Sequence, residues 1–218
     1  MKFQTSTLHV NTKTGDKLLY PFGPSIFQTY VDEKFVNHLL KEGEKLTKKD
    51  NNANKDLAGN LIKGGSYNYP ANVRAKFEGY IYQLLDRYIG NMPPHKLRNL
   101  FLINHKKKTT RFKLEELWIN YNKKGDYNPP HIHSAIFSFV IFCKVPPTIF
   151  TEKPESNFQH PGEIIFRFGE TLNFSDCEFR VKPSEQLMFI FPSYLTHYVP
   201  PFYTDDTRIS VSGNLYEV

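Results

Sequence analysis

The feature that most constrains this chain is a train of short apolar runs in its second half. From Phe112 onward they read "FKLEELWINYN", "SAIFSFVIFCKV", "GEIIFRF", "CEFRV", "QLMFIFP" and "TRISVSGNLY", with "LRNLFLIN" (97–104) ahead of them. Between them stand turn-forming segments such as "KKGDYNPP", "PPTIFTEKPESNFQHPG" and "PFYTDD". Alternating runs of this length and spacing predict antiparallel sheets in a sandwich or open barrel, not strands separated by crossover helices. The 19 Phe and 13 Tyr among 218 residues suit a pleated, half-buried surface.

The first half reads differently. Residues 1–30 are short extended pieces broken by "TGD" and "YPFGP". "VDEKFVNHLLKEG" predicts a helix with Phe35, Val36, Leu39 and Leu40 facing inward and Gly43 ending it. Residues 44–70, polar and with three glycines, read as a long surface loop. A second helix follows, with Val73, Phe77, Tyr80, Ile81, Leu84, Leu85 and Tyr88 at helical spacing, closed by Gly90 and the prolines at 93 and 94. The expected class is mainly β (α+β by content). It is one domain over 1–218, with 1–94 buttressing from outside a core formed by 95–218.

The formal charge of +6 comes from 28 Lys and Arg against 22 Asp and Glu, much of it at Lys45, Lys48, Lys49 and in "HKKKTTR" (105–111). Such a run reads as a solvated loop. No nucleic-acid motif accompanies it, so nucleic acid is not an expected partner. Cys143 and Cys177 form no CxxC pair, which fits a reduced, cytoplasmic protein. The N-terminus has no apolar segment of signal length. The longest apolar run, "AIFSFVIFCKV", is too short to span a bilayer, so no membrane association is expected.

Chemistry concentrates in two places. In "YNPPHIHSAIFSF", His131 and His133 are two residues apart at the mouth of an apolar run. If the strand has begun by Pro130, both imidazoles leave one face. They can chelate a metal there, or be ordinary polar residues at a strand end. In "LMFIFPSYLTHYVPPFYTDDTRISVSGN" an apolar strand runs into a turn that presents His197, and Arg208 and Ser210 share one face of the next strand. If the strand ends adjoin, three imidazoles would hold an iron with open positions for oxygen and an organic ligand. Arg208 would supply a two-pronged partner for a carboxylate. Those are the parts of a 2-oxoglutarate-dependent iron oxygenase.

From Leu117 to Tyr216 the chain resembles the iron(II)/2-oxoglutarate oxygenases. It is most similar to uncharacterised ones of marine bacteria and their phages. The resemblance rests on "WINYNKKGDYNPPHIHSAIFSFVIF", "GEIIFRF", "LMFIFPSYLTHYVPPF" and "RISVSGN" taken together. It implies a double-stranded β-helix (jelly-roll) fold. It further implies Fe(II) on His131, His133 and His197, O2 as co-reactant, and 2-oxoglutarate held through its distal carboxylate by Arg208 with help from Ser210. Localisation would be cytoplasmic, in the host cytoplasm if the gene is a phage's.

The resemblance has one departure. The wider superfamily places a carboxylate where this chain has His133, which raises the charge of a metal complex by one. Asp126 is the obvious carboxylate stand-in. Three-histidine, cupin-like dioxygenases that do not use 2-oxoglutarate are the first alternative. A non-enzymatic jelly-roll module, with scattered histidines or a structural zinc, is the second.

Asn120 is a further candidate for cosubstrate binding, directed inward with Trp118, while Tyr121 faces the other way. Trp118, Asn128, Tyr194 and Tyr198 are candidate pocket residues, although Trp118 reads more readily as sheet packing. Asn214 is expected to fix local backbone. His9, His38, His95, His105 and His160 read as surface histidines, and Cys143 as a small buried group. Residues 42–72 and 146–161 are candidate lids. The sequence does not name the substrate, a small molecule or a protein side chain, and leaves homodimer formation open.

Overall fold

The computed structural model describes residues 7–10 (backbone), 13–19, 23–49, 52–54, 59–92, 112–152, 160–173 and 176–218. "LRNLFLIN" and the basic run 105–111 lie outside these residues. The strands are β1 (Thr7–Val10), β2 (Lys17–Leu19), β3 (Ile26–Tyr30), β4 (Gly65–Asn68), β5 (Phe112–Asn122) and β6 (Asn128–His131). They continue with β7 (Phe137–Lys144), β8 (Ile164–Arg167), β9 (Glu178–Val181), β10 (Leu187–Pro192), β11 (Thr196–Val199) and β12 (Arg208–Glu217). Helices α1 (Glu33–Thr47) and α2 (Ala71–Gly90) lie among the first strands. The fold is thus mixed α and β, with two sheets of antiparallel strands. Eight strands run in the order β1-β2-β3-β10-β7-β12-β5-β4, and four in the order β6-β11-β8-β9.

Period-two alternation sorts the side chains of the large sheet into two cores. On β10, Met188 and Ile190 join a cluster that includes Val73, Phe77, Ile81, Leu84 and Leu85 of α2 and Val36 and Leu39 of α1. Leu187, Phe189 and Phe191 point the opposite way, into a cluster with Ile164 and Phe166 of β8 and Val199 of β11. The helices therefore cover one face of the large sheet, and the small sheet faces the other. Cys143 is buried in the helix-side cluster, as expected for a small apolar group.

The first helix does not stop at Gly43. It runs on to Thr47, and Gly43 is buried within it. A Cβ at that position would meet Ile119 Cδ1 and the Tyr121 hydroxyl. This glycine lets helix and sheet approach closely; it is not a terminator. The segment read as surface loop also holds structure. β4 pairs with β5 (Gly65 opposite Tyr121, Asn68 opposite Trp118), and Asn60 bridges to Tyr127. Among the described residues, no helix is long and apolar enough to cross a membrane.

Candidate metal centre and its cavity

A cavity of about 630 Å³ opens between the two sheets, and β5 and β12 form its floor. Their ladder sets the order of the floor: Arg208 opposite Asn122, Ser210 opposite Asn120, Ser212 opposite Trp118, Asn214 opposite Glu116. The other face of the same strands carries Leu117, Ile119, Val211 and Leu215 into the helix-side core. This half of the large sheet is apolar toward the helices and polar toward the cavity.

The structure brings His131, His133 and His197 together, with one ring nitrogen from each within 4.8 Å of the others. His131 on β6 lies directly opposite His197 on β11, their ring centroids 4.3 Å apart. His133 arrives by another route. β6 ends at His131, and the His133 backbone N–H is held by the Ser193 carbonyl at 2.9 Å. Shared strand period does not place it; the main-chain anchor does. Its ring lies 5.0 Å from that of His131 and 5.9 Å from that of Trp118, centroid to centroid.

These residues suit a metal. Nδ1 of His131 donates to the Pro129 carbonyl at 2.7 Å, and Nδ1 of His197 to the Leu195 carbonyl at 3.0 Å. Both rings are thereby fixed in the tautomer that leaves Nε2 with a free lone pair. Burial lowers the pKa of His131, and burial with His131 nearby lowers that of His133 to about 4. Burial, then the neighbouring His131, holds His197 well below the ordinary range. All three are neutral near pH 7, as ligands must be. Two nitrogens on one first-row metal stand at most about 4.2 Å apart, so a modest turn of the rings closes the cluster on an ion. Among the described residues no fourth acidic, cysteine or histidine ligand joins the three. A closed four-ligand zinc site does not match that set.

Asp126 takes no part. Its Oδ1 accepts from Ile62 N and Lys63 N at 2.7 and 3.0 Å, and its Oδ2 from Lys123 N at 2.8 Å. The carboxylate is consumed in fastening residues 62–63 to the β5–β6 turn.

Arg208 is 2% exposed and lines the cavity. Its Nη1 donates to the Gly162 carbonyl at 2.9 Å and its Nη2 to Asn122 Oδ1 at 3.3 Å, while Nε is buried without a partner. The Gly162 carbonyl is delivered by a tight turn, His160–Glu163, in which Gly162 has φ +67° and Glu163 N bonds the His160 carbonyl. Burial pushes the guanidinium pKa down to about 10, so it stays charged at neutral pH. No carboxylate pairs with it among the described residues. A buried charge left so is costly, and an anion in the cavity would relieve the cost.

The remaining candidates divide. Ser210, Asn120, Trp118 and Asn128 all line the cavity, and Asn120 Oδ1 is buried without a partner. Tyr121 packs on the helix side. Trp118 belongs to neither apolar cluster and stands in the cavity wall beside His133, so the sheet-packing reading gives way to a pocket residue. Tyr194 is 59% exposed in the turn after β10 and does not line the cavity. Tyr198 leaves β11 on the face opposite His197, and its hydroxyl donates to Glu178 Oε1 at 2.7 Å. Asn214 does more than fix backbone: its amide joins Ser138 to Glu116, and it borders the cavity. Asn122, Ser138, Glu116 and the Gly162 carbonyl carry little signal in the sequence. For the first three, alternation from Asn120, Arg208 and Phe137 was the available clue.

Residues 116–214 match the model of a family described as "Putative 2OG-Fe(II) oxygenase". No curated protein matches the sequence. Among solved structures, a Pseudomonas putida prolyl-4-hydroxylase aligns over 88% of this chain and 92% of its own at TM-score 0.52 and 15% identity. The epimerase SnoN of nogalamycin biosynthesis aligns over 88% and 78% at TM-score 0.57 and 11% identity. HygX from Streptomyces hygroscopicus, solved with nickel, 2-oxoglutarate and hygromycin B, aligns over 88% and 82% at TM-score 0.53 and 8% identity. At these identities the structures speak to fold alone. The family model thus spans the stretch from β5 to β12 that carries the three histidines and Arg208, and the chain shares its fold with these structures over most of its length.

Proposed function

We propose that this protein is an Fe(II)/2-oxoglutarate-dependent oxygenase of the marine bacterial and phage type. It acts as a single domain with a jelly-roll core, and its metal is held by His131, His133 and His197. The observation that carries the reading is Arg208: a buried guanidinium without a carboxylate partner among the described residues, in the same cavity as three neutral imidazoles. Iron(II) bound by the three would supply oxygen activation coupled to decarboxylation of a 2-oxo acid and oxidation of a substrate C–H bond.

The chain's own part is positional. The Pro129 and Leu195 carbonyls aim Nε2 of His131 and His197 at a common point. Asn122 and the Gly162 carbonyl orient Arg208 so that its remaining N–H groups can take the distal carboxylate. Ser210 and Asn120, on the next rung of the ladder, supply further hydrogen bonds along the diacid. Phe142, over which the guanidinium lies at 5.9 Å, helps keep water from that end.

The test is an anaerobic titration with Fe(II) and then 2-oxoglutarate. A visible charge-transfer band should appear only when both are present. Metal uptake without any binding of 2-oxoglutarate would shift the assignment to the three-histidine, cupin-like dioxygenases.

A further inference from the structure

The end of the cavity away from Arg208 carries a charged group that the reading above does not use. Same-face residues on a strand are spaced about 6.5–7 Å, so the Asn214–Glu116 rung lies about 20 Å along the floor from Arg208. It is one rung beyond Trp118, whose ring neighbours that of His133. The histidines therefore sit between an arginine end and a glutamate end.

Glu116 is set in place by a buried relay. The Asn214 amide donates to its Oε2, Ser138 Oγ donates to Asn214 Oδ1 at 2.7 Å, and Ser193 Oγ lies 2.8 Å from Ser138 Oγ. The relay is joined to the metal centre, because the Ser193 carbonyl also holds the His133 N–H. Asn214, Ser138 and Ser193 are all buried. Buried polar networks are tolerated when every member is satisfied, and they hold their terminal group in one orientation. Here that group is a carboxylate at the open end of the cavity, and among the described residues it makes no ion pair. Its neighbour Glu115 pairs with Lys113, and Arg74 gives Nη1 to the Glu115 main-chain carbonyl.

We propose that Glu116 is a specificity-determining residue and that the primary substrate carries a protonated amine or guanidinium seated on it. This rests on the assignment of the Arg208 end to 2-oxoglutarate, which leaves the Glu116 end for the substrate. The oxidised carbon lies by Trp118 and His133, a short aliphatic spacer away from the cation. Arg74, also at the cavity wall, makes an amino acid with a cationic side chain a better probe than a bare diamine.

The experiment is ligand-observed NMR with L-lysine, L-arginine, L-norleucine and L-glutamate. It is run on the metal-free protein and on protein loaded with nickel(II) and 2-oxoglutarate, where no turnover occurs. Lysine or arginine should bind at millimolar concentration, and norleucine and glutamate should not. Glu116→Gln should weaken the cationic probe about tenfold or more, the loss of one charge-assisted contact. Glu116→Lys should turn the preference toward glutamate. Binding of norleucine as tight as lysine, no binding of either cation, or wild-type affinity in Glu116→Gln would overturn the proposal. 2-Oxoglutarate is titrated into the same samples. If it fails to bind while the Glu116-dependent cation still does, the oxygenase reading falls, the role of Glu116 in substrate choice for that reaction falls with it, and only a cation-binding site at Glu116 stands.

Discussion

His133 is the residue on which the charge of the metal complex turns. A carboxylate there would bring a negative charge, whereas this imidazole is neutral down to about pH 4. Replacing His133 with Ala should remove tight metal binding, and Asp should restore much of it. Metal content after gel filtration is the measurement. In the metal-free protein the same residue contributes, with His131 and His197, to acid lability. Imidazole in the unfolded chain protonates near pH 6.5, above the folded value, so the unfolded state takes up the proton first. The stabilisation is complete above pH 6.5 and is lost as pH falls toward about 4. The urea midpoint should drop across that window, and His133→Asn should flatten part of the drop. Arg208→Lys keeps the charge and loses the fork. Affinity for 2-oxoglutarate, read from the charge-transfer band, should fall by about 10–100-fold with metal uptake unchanged.

Among the elements, β12 is the most exposed to substitution, because it lies between β7 and β5 and serves both the helix-side core and the cavity. Gly213 permits this. A Cβ there would meet the Phe139 ring and, at 2.7 Å, the Glu116 carbonyl. Gly213→Val should lower stability by about 1–3 kcal/mol, visible in the urea midpoint, through overpacking against backbone that cannot move aside. β5 and β12 were legible in the sequence because each alternates between an apolar and a polar face, and β7 and β10 because each is a nearly continuous apolar run buried on both faces. β6 and β11 were not: one is half proline, the other is four residues long, and both are read only through their pairing. The histidine set was legible as residue types, but the cause of its convergence was not. His133 is placed by a main-chain bond to Ser193, and no periodicity encodes such a bond. Gly43 was misread because a helix-stopping glycine and a close-packing glycine look alike until the opposing surface is known. The same holds for Asp126, whose partners lie at Ile62 and Lys63, far away in sequence.

At the scale of the whole molecule the candidate centre is a junction. His131 and His197 belong to the small sheet, while His133 lies against Trp118 of the large one. An ion bound by all three would fasten the two sheets together and stabilise the folded state by mass action. At a hundredfold excess over Kd that is about 2.7 kcal/mol. For a chain of this size the melting temperature should rise by about 5–10 °C on adding nickel(II) or iron(II) under argon. A His131→Ala/His197→Ala double variant should show no such rise.

The same junction puts β6 at the edge of the small sheet, where an unpaired strand could template a neighbouring chain. Two of its four residues, Pro129 and Pro130, have no N–H to offer an incoming strand, and Tyr127 just before it is already bonded to Asn60 in both directions. The protein can thus keep a histidine on an open rim without that rim becoming a seed for aggregation. Pro130→Val should leave the histidines in place yet bring on concentration-dependent light scattering, because the edge would regain a donor.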